Sequence, residues 1–240
     1  MVNRSVAYKT DVGGQREINE DSILVDEDNG IFLLADGLGG HQAGEVASEL
    51  CVNTIHAYLK EKLGKVPEKA VQDLLLEAVS QAHDAVKKTA ISNPNLLGMG
   101  TTIVIMVVRD HEAYICHVGD SRAYLVRAGI KQITRDHSYT GHFENDVLLK
   151  DGSFQKRSPV LSQAIGTGVD IKPEINHIRL LKGDVILICS DGLTDLLSNK
   201  EIEEITLRHE NEINEAAGLL VNEANNRGGR DNISVILVKA

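Results

Sequence analysis

Four aspartates stand where an apolar run meets a small or turn-forming residue. Asp36 lies in Leu33-Leu34-Ala35-Asp36-Gly37 and Asp191 in Ile188-Cys189-Ser190-Asp191-Gly192. Asp231 opens Asp231-Asn232-Ile233-Ser234, and Asp120 sits in Gly119-Asp120-Ser121. A carboxylate at a strand end has a rigid backbone and a solvent-facing position, and a glycine beside it lets carbonyls, ions or a ligand approach closely. Several such carboxylates converging repel one another unless cations compensate them. Hard oxygen ligands with retained water suit Mg2+ or Mn2+ better than zinc, and no HExxH or cysteine-rich set competes. Each Asp-Gly taken singly also reads as a surface turn, so the case rests on the set.

The elements that must position these residues follow from periodicity. Residues 22–25 and 31–35 are β-prone runs around a turn-like Asp26-Glu27-Asp28-Asn29-Gly30, a hairpin signal. Ala43, Ala47, Leu50, Thr54 and Tyr58 then recur at helical spacing. A second helix is predicted from Pro67, striped by Val71, Leu74, Leu75, Ala78, Ala82 and Val86. Both stripes are one-sided, so each helix should cover a sheet face. Residues 101–108, 113–118 and 123–127 are short runs whose connections are too brief for a crossover helix, which predicts antiparallel pairing among them. Residues 136–158 lack a period and read as a loop or mobile flap, placed at 140–159. A strand at 185–189, helices at 200–209 and 212–224 and a last strand at 233–238 complete an α+β reading: one domain, residues 1–240, of antiparallel sheets and covering helices.

Composition narrows the function. A formal charge of −10 disfavours a nucleic-acid or anionic-membrane binder, because the general field repels phosphate backbones. Local metal ions can invert that field for a phosphorylated substrate. Cys51, Cys116 and Cys189 are widely spaced without a CxxC pair and read as buried thiols of a reducing compartment. The longest apolar run, residues 103–108, is too short to cross a bilayer, and no apolar leader precedes Lys9 and Asp11. The expectation is a soluble, cytoplasmic protein without membrane insertion, although a longer parent chain could have been trimmed to it.

The order of motifs is itself specific. Asp11-Val12-Gly13-Gly14-Gln15-Arg16, Asn19-Glu20-Asp21, Ala35-Asp36-Gly37-Leu38-Gly39-Gly40-His41 and Gly100-Thr101-Thr102 come first. Val118-Gly119-Asp120-Ser121-Arg122, Asp136-His137-Ser138, Cys189-Ser190-Asp191-Gly192-Leu193 and Asp231-Asn232 follow. In this order the chain resembles the PPM, or PP2C-type, protein phosphatase family, especially its compact bacterial members. The resemblance implies an αββα sandwich, two antiparallel sheets flanked by helices, with the metals at one edge.

It also implies roles. Asp36 would bridge two Mn2+ or Mg2+ ions, with Asp191 and Asp231 completing the first ion's protein ligands. Gly37 would offer its carbonyl to the second ion, Glu20 would act through bound water, and Asp21 would order water nearby. Asp120 with Asp191 matches the position of a third, weaker ion. Arg16 matches a phosphate clamp, since a planar guanidinium can give two hydrogen bonds to a phosphoryl group. Asn232 would position its neighbour, Arg122 would be a structural ion-pair donor, and His137 and Ser138 satisfied structural groups. Leu38 stands where some members carry a histidine proposed as general acid; His41 lies beyond it and is expected to brace the following helix.

The implied reaction is hydrolysis of phosphoserine or phosphothreonine esters on proteins by metal-activated water, with no cysteine nucleophile. It would reverse a cognate Ser/Thr kinase, with phosphorylated proteins as partners and the enzyme a monomer. A partner-specific stress-response phosphatase, a silent phosphoprotein-binding module and a metal-dependent nuclease stay as alternatives. The last is disfavoured by charge and by the lack of a basic aromatic groove.

Overall fold

A computed structural model of the chain describes residues 4–38, 43–139, 147–148, 154–155 and 160–240. It begins with β1 (Ser5–Asp11), the hairpin β2 (Asp21–Asp26) and β3 (Ile31–Leu38), then helices α1 (Gly44–Lys62) and α2 (Val71–Ser92). Next come β4 (Gly100–Thr101), β5 (Ile103–Arg109), β6 (Glu112–Val118), β7 (Arg122–Val126) and β8 (Ile130–Gln132). Four two-residue strands follow: β9 (Ser138–Tyr139), β10 (Val147–Leu148), β11 (Phe154–Gln155) and β12 (Val160–Leu161). The chain continues through β13 (Glu174–Arg179), β14 (Val185–Cys189), the one-turn α3 (Asp191–Thr194), α4 (Asn199–Arg208), α5 (Ile213–Asn226) and β15 (Ile233–Lys239).

Two antiparallel sheets form the body, in the orders β1-β15-β14-β7-β8 and β13-β6-β5-β3-β2, with β4 added to β3. Side chains alternate across each strand, and both faces are covered. Ile31, Leu33 and Ala35 face α1 and α2, while Phe32 and Leu34 join Ile186, Ile188 and Ile236 between the sheets. Leu187, Val235 and Leu237 pack under α4 and α5. The result is helix, sheet, sheet and helix, the αββα sandwich that the resemblance implies. Double coverage explains why Ile103 to Val108 is apolar without alternation.

Two expectations need correction. The stripe of α1 is turned from the expected line: Ala47, Cys51, Ile55 and Leu59 are buried, whereas Leu50, Thr54 and Tyr58 are only partly so. Apolar residues occupy two adjoining faces of this helix, and seating on the sheet selects between them. The second correction concerns β7, which pairs with β14 and β8 and not with β6. Gly119, at φ 110°, carries the chain out of one sheet and into the other. Stacked sheets lie ~10 Å apart, and Gly119-Asp120-Ser121 is long enough to span that gap at ~3.3 Å per residue. The run 101–108 is likewise divided at Thr102, whose N–H goes to the Asp36 carbonyl at 2.8 Å. The other predicted helices and strands stand close to the places expected of them, with α2 starting after a short turn that follows Pro67, whereas β1, β8 and β13 occupy stretches in which no strand was expected. The proposed flap at 140–159 falls largely outside the described residues, as does His41. Among the described residues no helix is long and apolar enough to cross a membrane.

The connection from β13 back to β14 is pinned by Asp184, which is 3% exposed. Its carboxylate accepts from Arg127 Nε at 2.8 Å and from the Leu181 N–H at 2.7 Å. Burial pulls the Asp184 pKa up, but the bonds from Arg127 and Leu181 outweigh it and hold the carboxyl below its usual value. A folded pKa below the unfolded value of ~3.9 stabilises above that pH, and the contribution is lost as pH falls through the folded value. Asp184→Asn should therefore cost about 1–3 kcal/mol at pH 7, with the gap to wild type closing below pH ~4. Urea melts at pH 7 and pH 3 measure this; an equal gap at both would separate the loss from the charge.

Candidate metal centre

Antiparallel order brings several strand ends to one edge of the sandwich. Asp36 is near the end of β3, directly opposite Asp21 at the start of β2. Asp191 opens α3 just beyond β14, and Asp231 precedes β15, the partner of β14. Asp120 stands on the link from β6 to β7. The carboxylates predicted to act together thus come from both sheets and meet at this edge.

Their proximity is visible in their electrostatics. Asp36 is pushed well above the usual carboxylate range, first by desolvation and then by the fields of Asp21, Asp191, Asp231 and Asp120. Asp191 rises to about 8, again through desolvation, then through Asp120, Asp195 and Asp231. Asp120 rises to about 6, chiefly by burial, with Asp136 adding to it. Asp21 is 7% exposed and rises to about 6 by burial, tempered by the Ser234 and Ser190 hydroxyls. Buried carboxylates keep their charge only with a compensating cation.

Backbone brackets hold this arrangement. The Asn232 side chain accepts from the Glu20 N–H at 2.8 Å and donates to the Val12 and Ile18 carbonyls, each at 2.9 Å. It thereby ties down the loop between β1 and β2, a wider role than positioning its neighbour. Ser190 Oγ donates to Asp21 Oδ2 at 2.8 Å and accepts from the Ser234 N–H at 3.0 Å. Gly37 must be glycine: a Cβ there would lie 2.2 Å from the Gly44 carbonyl oxygen and 2.7 Å from that of Glu20. Its N–H donates to the Glu20 carbonyl at 3.1 Å. Arg16 is half-exposed, with one terminal nitrogen donating to Asp231 Oδ2 at 2.7 Å and the other 3.8 Å from Glu20 Oε2. The expected phosphate clamp is therefore paired with a carboxylate of the cluster.

Arg122 is structural as expected: its Nε donates to both oxygens of Asp136, at 3.0 and 3.1 Å, and a terminal nitrogen to Oδ2 at 2.7 Å. The His137 Nδ1 accepts from the Gly119 N–H at 3.2 Å, and its ring stacks on His117 at 4.5 Å between centroids. Sequence reasoning missed Asp195, exposed at the C-terminal cap of α3 one turn after Asp191; the i, i+4 spacing of the two was the available signal. It also gave no role to Ser190, Thr101 or Thr102, whose hydroxyls reach the aspartates only in three dimensions.

A hard divalent cation fits these residues. Asp21 Oδ1 is buried with no hydrogen-bond partner, the donors are oxygens, and the neighbouring carboxylates raise one another's pKa. Among the described residues, three groups bring their ligand atoms within 4.8 Å of one another: His117 with His137 and Glu174, Glu68 with Glu112 and His177, and His209 with Glu212 and Glu215. None includes an aspartate of this cluster. In the first, His137 accepts a hydrogen bond at Nδ1, so its neutral ring carries the proton at Nε2, the nitrogen that would have to bind metal. The cysteines offer no competing nucleophile: all three are free and buried, and burial pushes the Cys189 thiol up to about 12.

The sequence model described as Protein phosphatase 2C matches residues 14–233. The serine/threonine phosphatase stp of Listeria monocytogenes is similar over 238 residues at 33% identity, covering 97% of this chain and 94% of that protein. The S. agalactiae serine/threonine phosphatase structure is similar at a TM-score of 0.86 and 29% identity, covering 99% of this chain and 100% of that one. The catalytic domain of the serine/threonine protein phosphatase PstP, in complex with 2 manganese ions, has a TM-score of 0.82 at 30% identity, with 98% and 97% covered.

The crowding has a measurable consequence. An acid whose folded pKa exceeds its unfolded value of ~3.9 destabilises the fold as pH rises from there to the folded value. For Asp191 that window runs from about 4 to about 8. In chelator, the wild-type melting temperature should fall across this window, and Asp191→Asn should flatten the fall. Thermal melts in a pH series check it; a mutant that tracks the wild-type slope would remove Asp191 as a source of the strain.

Proposed function

Because the chain belongs to the protein phosphatase 2C family and catalyses metal-dependent hydrolysis of phosphoserine and phosphothreonine, we propose that Asp36, Asp191 and Asp231 hold its divalent ions. The observation that carries this assignment is the elevation of the half-buried Asp36 and Asp191 carboxylates by desolvation and by their neighbours, beside the buried and unpartnered Asp21 Oδ1. Asp36, raised by desolvation and by four neighbouring aspartates, is central to the set and would be the ligand shared between the ions. Gly37 would contribute its carbonyl, Glu20 would act through water, and Asp21 would order water around them. Asp120, with Asp191, serves a third and weaker ion. The ions are Mn2+ or Mg2+, two at least. When bound, such ions supply Lewis acidity and lower the pKa of water at neutral pH.

The chain's own part is to orient and to bind. Arg16 lies at the solvent-facing side of the cluster, and its fork can give two N–H bonds to the equatorial oxygens of a phosphoryl group. Its bond to Asp231 holds the guanidinium at the cluster until a phosphate replaces that carboxylate as acceptor. Asn232 keeps the Arg16 loop in register through Ile18 and Val12. With all three cysteines buried, no thiolate nucleophile competes with direct hydrolysis. Residues 1–240 act as one catalytic domain, a reading supported by the family match over residues 14–233. Its substrates are phosphorylated proteins, among them those of a cognate Ser/Thr kinase.

Activity on a phosphothreonine peptide should vanish in chelator and return with Mn2+ or Mg2+. Arg16→Ala should lower kcat/KM about 10- to 100-fold, the size of a lost charged hydrogen bond, while Mn2+ affinity measured by calorimetry stays near wild type. Full turnover in a verified metal-free sample would sink the assignment. An equal loss of Mn2+ binding in the Arg16 variant would make that residue a structural support of the centre.

A further inference from the structure

Thr102 lies between β4 and β5, in a Gly-Thr-Thr step to which the chemistry above assigns no function. Its Oγ1 accepts from the Asp36 N–H at 3.0 Å, and its own N–H donates to the Asp36 carbonyl at 2.8 Å. Thr101 Oγ1 donates to the same carbonyl at 2.8 Å. The Asp36 peptide is thus gripped on both sides. Thr102 Oγ1 also lies 2.7 Å from Ser121 Oγ, and both residues are buried, at 0% and 1% exposure.

Ser121 directly follows Asp120, and Gly119 directly precedes it. A Cβ at Gly119 would lie 2.6 Å from Thr102 Cγ2, so the backbone there is pressed against the threonine. The Gly119 N–H and carbonyl are taken by His137, at 3.2 and 2.9 Å. Both flanks of Asp120 therefore meet one side chain, whose hydroxyl also accepts from the backbone of Asp36. The link spans the sheets, since Asp36 belongs to β3 and Ser121 leads into β7.

We propose that the Thr102–Ser121 hydroxyl pair is a positioning link that sets Asp120 relative to Asp36, so that the weaker cation site is coupled to the two-ion core. This rests on the assignment of Asp36 and Asp120 as ligands. Ligand carboxylates must be held to about 0.5 Å to bind an ion well, and a loop that crosses between sheets has no ladder of its own to hold it. One hydroxyl reaching both places supplies that restraint.

The test is Mn2+ calorimetry on the apoprotein, joined to phosphothreonine-peptide kinetics and a thermal melt. Ser121→Ala cuts the link while leaving the Asp36 N–H its acceptor. It should keep the tight Mn2+ steps, weaken the weakest step about five- to tenfold, the loss expected for one buried neutral hydrogen bond, and lower kcat with KM unchanged. In the D120A background, S121A should add nothing further, because coupled positions are not additive. Thr102→Val should disturb tight and weak steps alike, and Thr102→Ser should restore both; if T102V does not fold, S121A decides alone. A lower melting temperature with unchanged Mn2+ steps and kcat would overturn the link, as would additive D120A and S121A losses or a wild-type titration without a third step. Undiminished Mn2+ binding in Asp36→Asn would instead overturn the ligand assignment beneath it.

Discussion

Bringing like charges together at the edge of a protein core is costly, and the aspartate cluster does so with chains from two separate sheets. Asp36 is pressed by Asp21, Asp191, Asp231 and Asp120 at once, and desolvation adds to their repulsion. No flexible loop would keep such a set assembled. The arrangement persists because each carboxylate is fixed to a backbone whose position is decided elsewhere, by apolar packing. A cation then turns the same repulsion into binding energy.

The packing that supplies this rigidity is layered. One apolar layer joins α1 and α2 to their sheet, one fills the space between sheets, and one joins α4 and α5 to the second sheet. Strands buried on both faces cannot slide by one residue without exchanging two apolar surfaces. Their ends are consequently reliable anchor points. The polar brackets operate only there: Asn232 on the entering loop, Ser190 on Asp21, and Thr102 on Asp36. These are buried hydrogen-bonding groups with their partners supplied, which is what makes them tolerable next to an apolar core.

Arg16 occupies an intermediate place. It is a counter-charge for Asp231 and Glu20 as the protein stands, and it is exposed enough to exchange that partner. The overall charge of −10 is then no obstacle to an anionic phosphoester, because local fields at the cluster edge come from a guanidinium and bound cations. The cysteines are apolar filling, their thiols raised by burial, in keeping with a reaction that needs no thiolate.

Local sequence determined a great deal here. The β2–β3 hairpin, the stripe of α2, and the placing of the aspartates at the ends of apolar runs are short-range patterns, and periodicity reports them directly. The ordered motifs likewise carried the family, the sandwich and the candidate ligands. Tertiary structure alone decided which sheet β7 joins, because a three-residue link can return along one sheet or step to the next with equal ease. It decided which of two apolar faces α1 buries, since the choice depends on the surface beneath it. It also decided that Asn232 braces the loop before Asp21, that Arg16 pairs with Asp231, and that Thr102 touches both Asp36 and Ser121. Each of these is a contact between residues far apart in the chain, and a hydroxyl or an amide in sequence gives no sign of the distant partner that folding will bring to it.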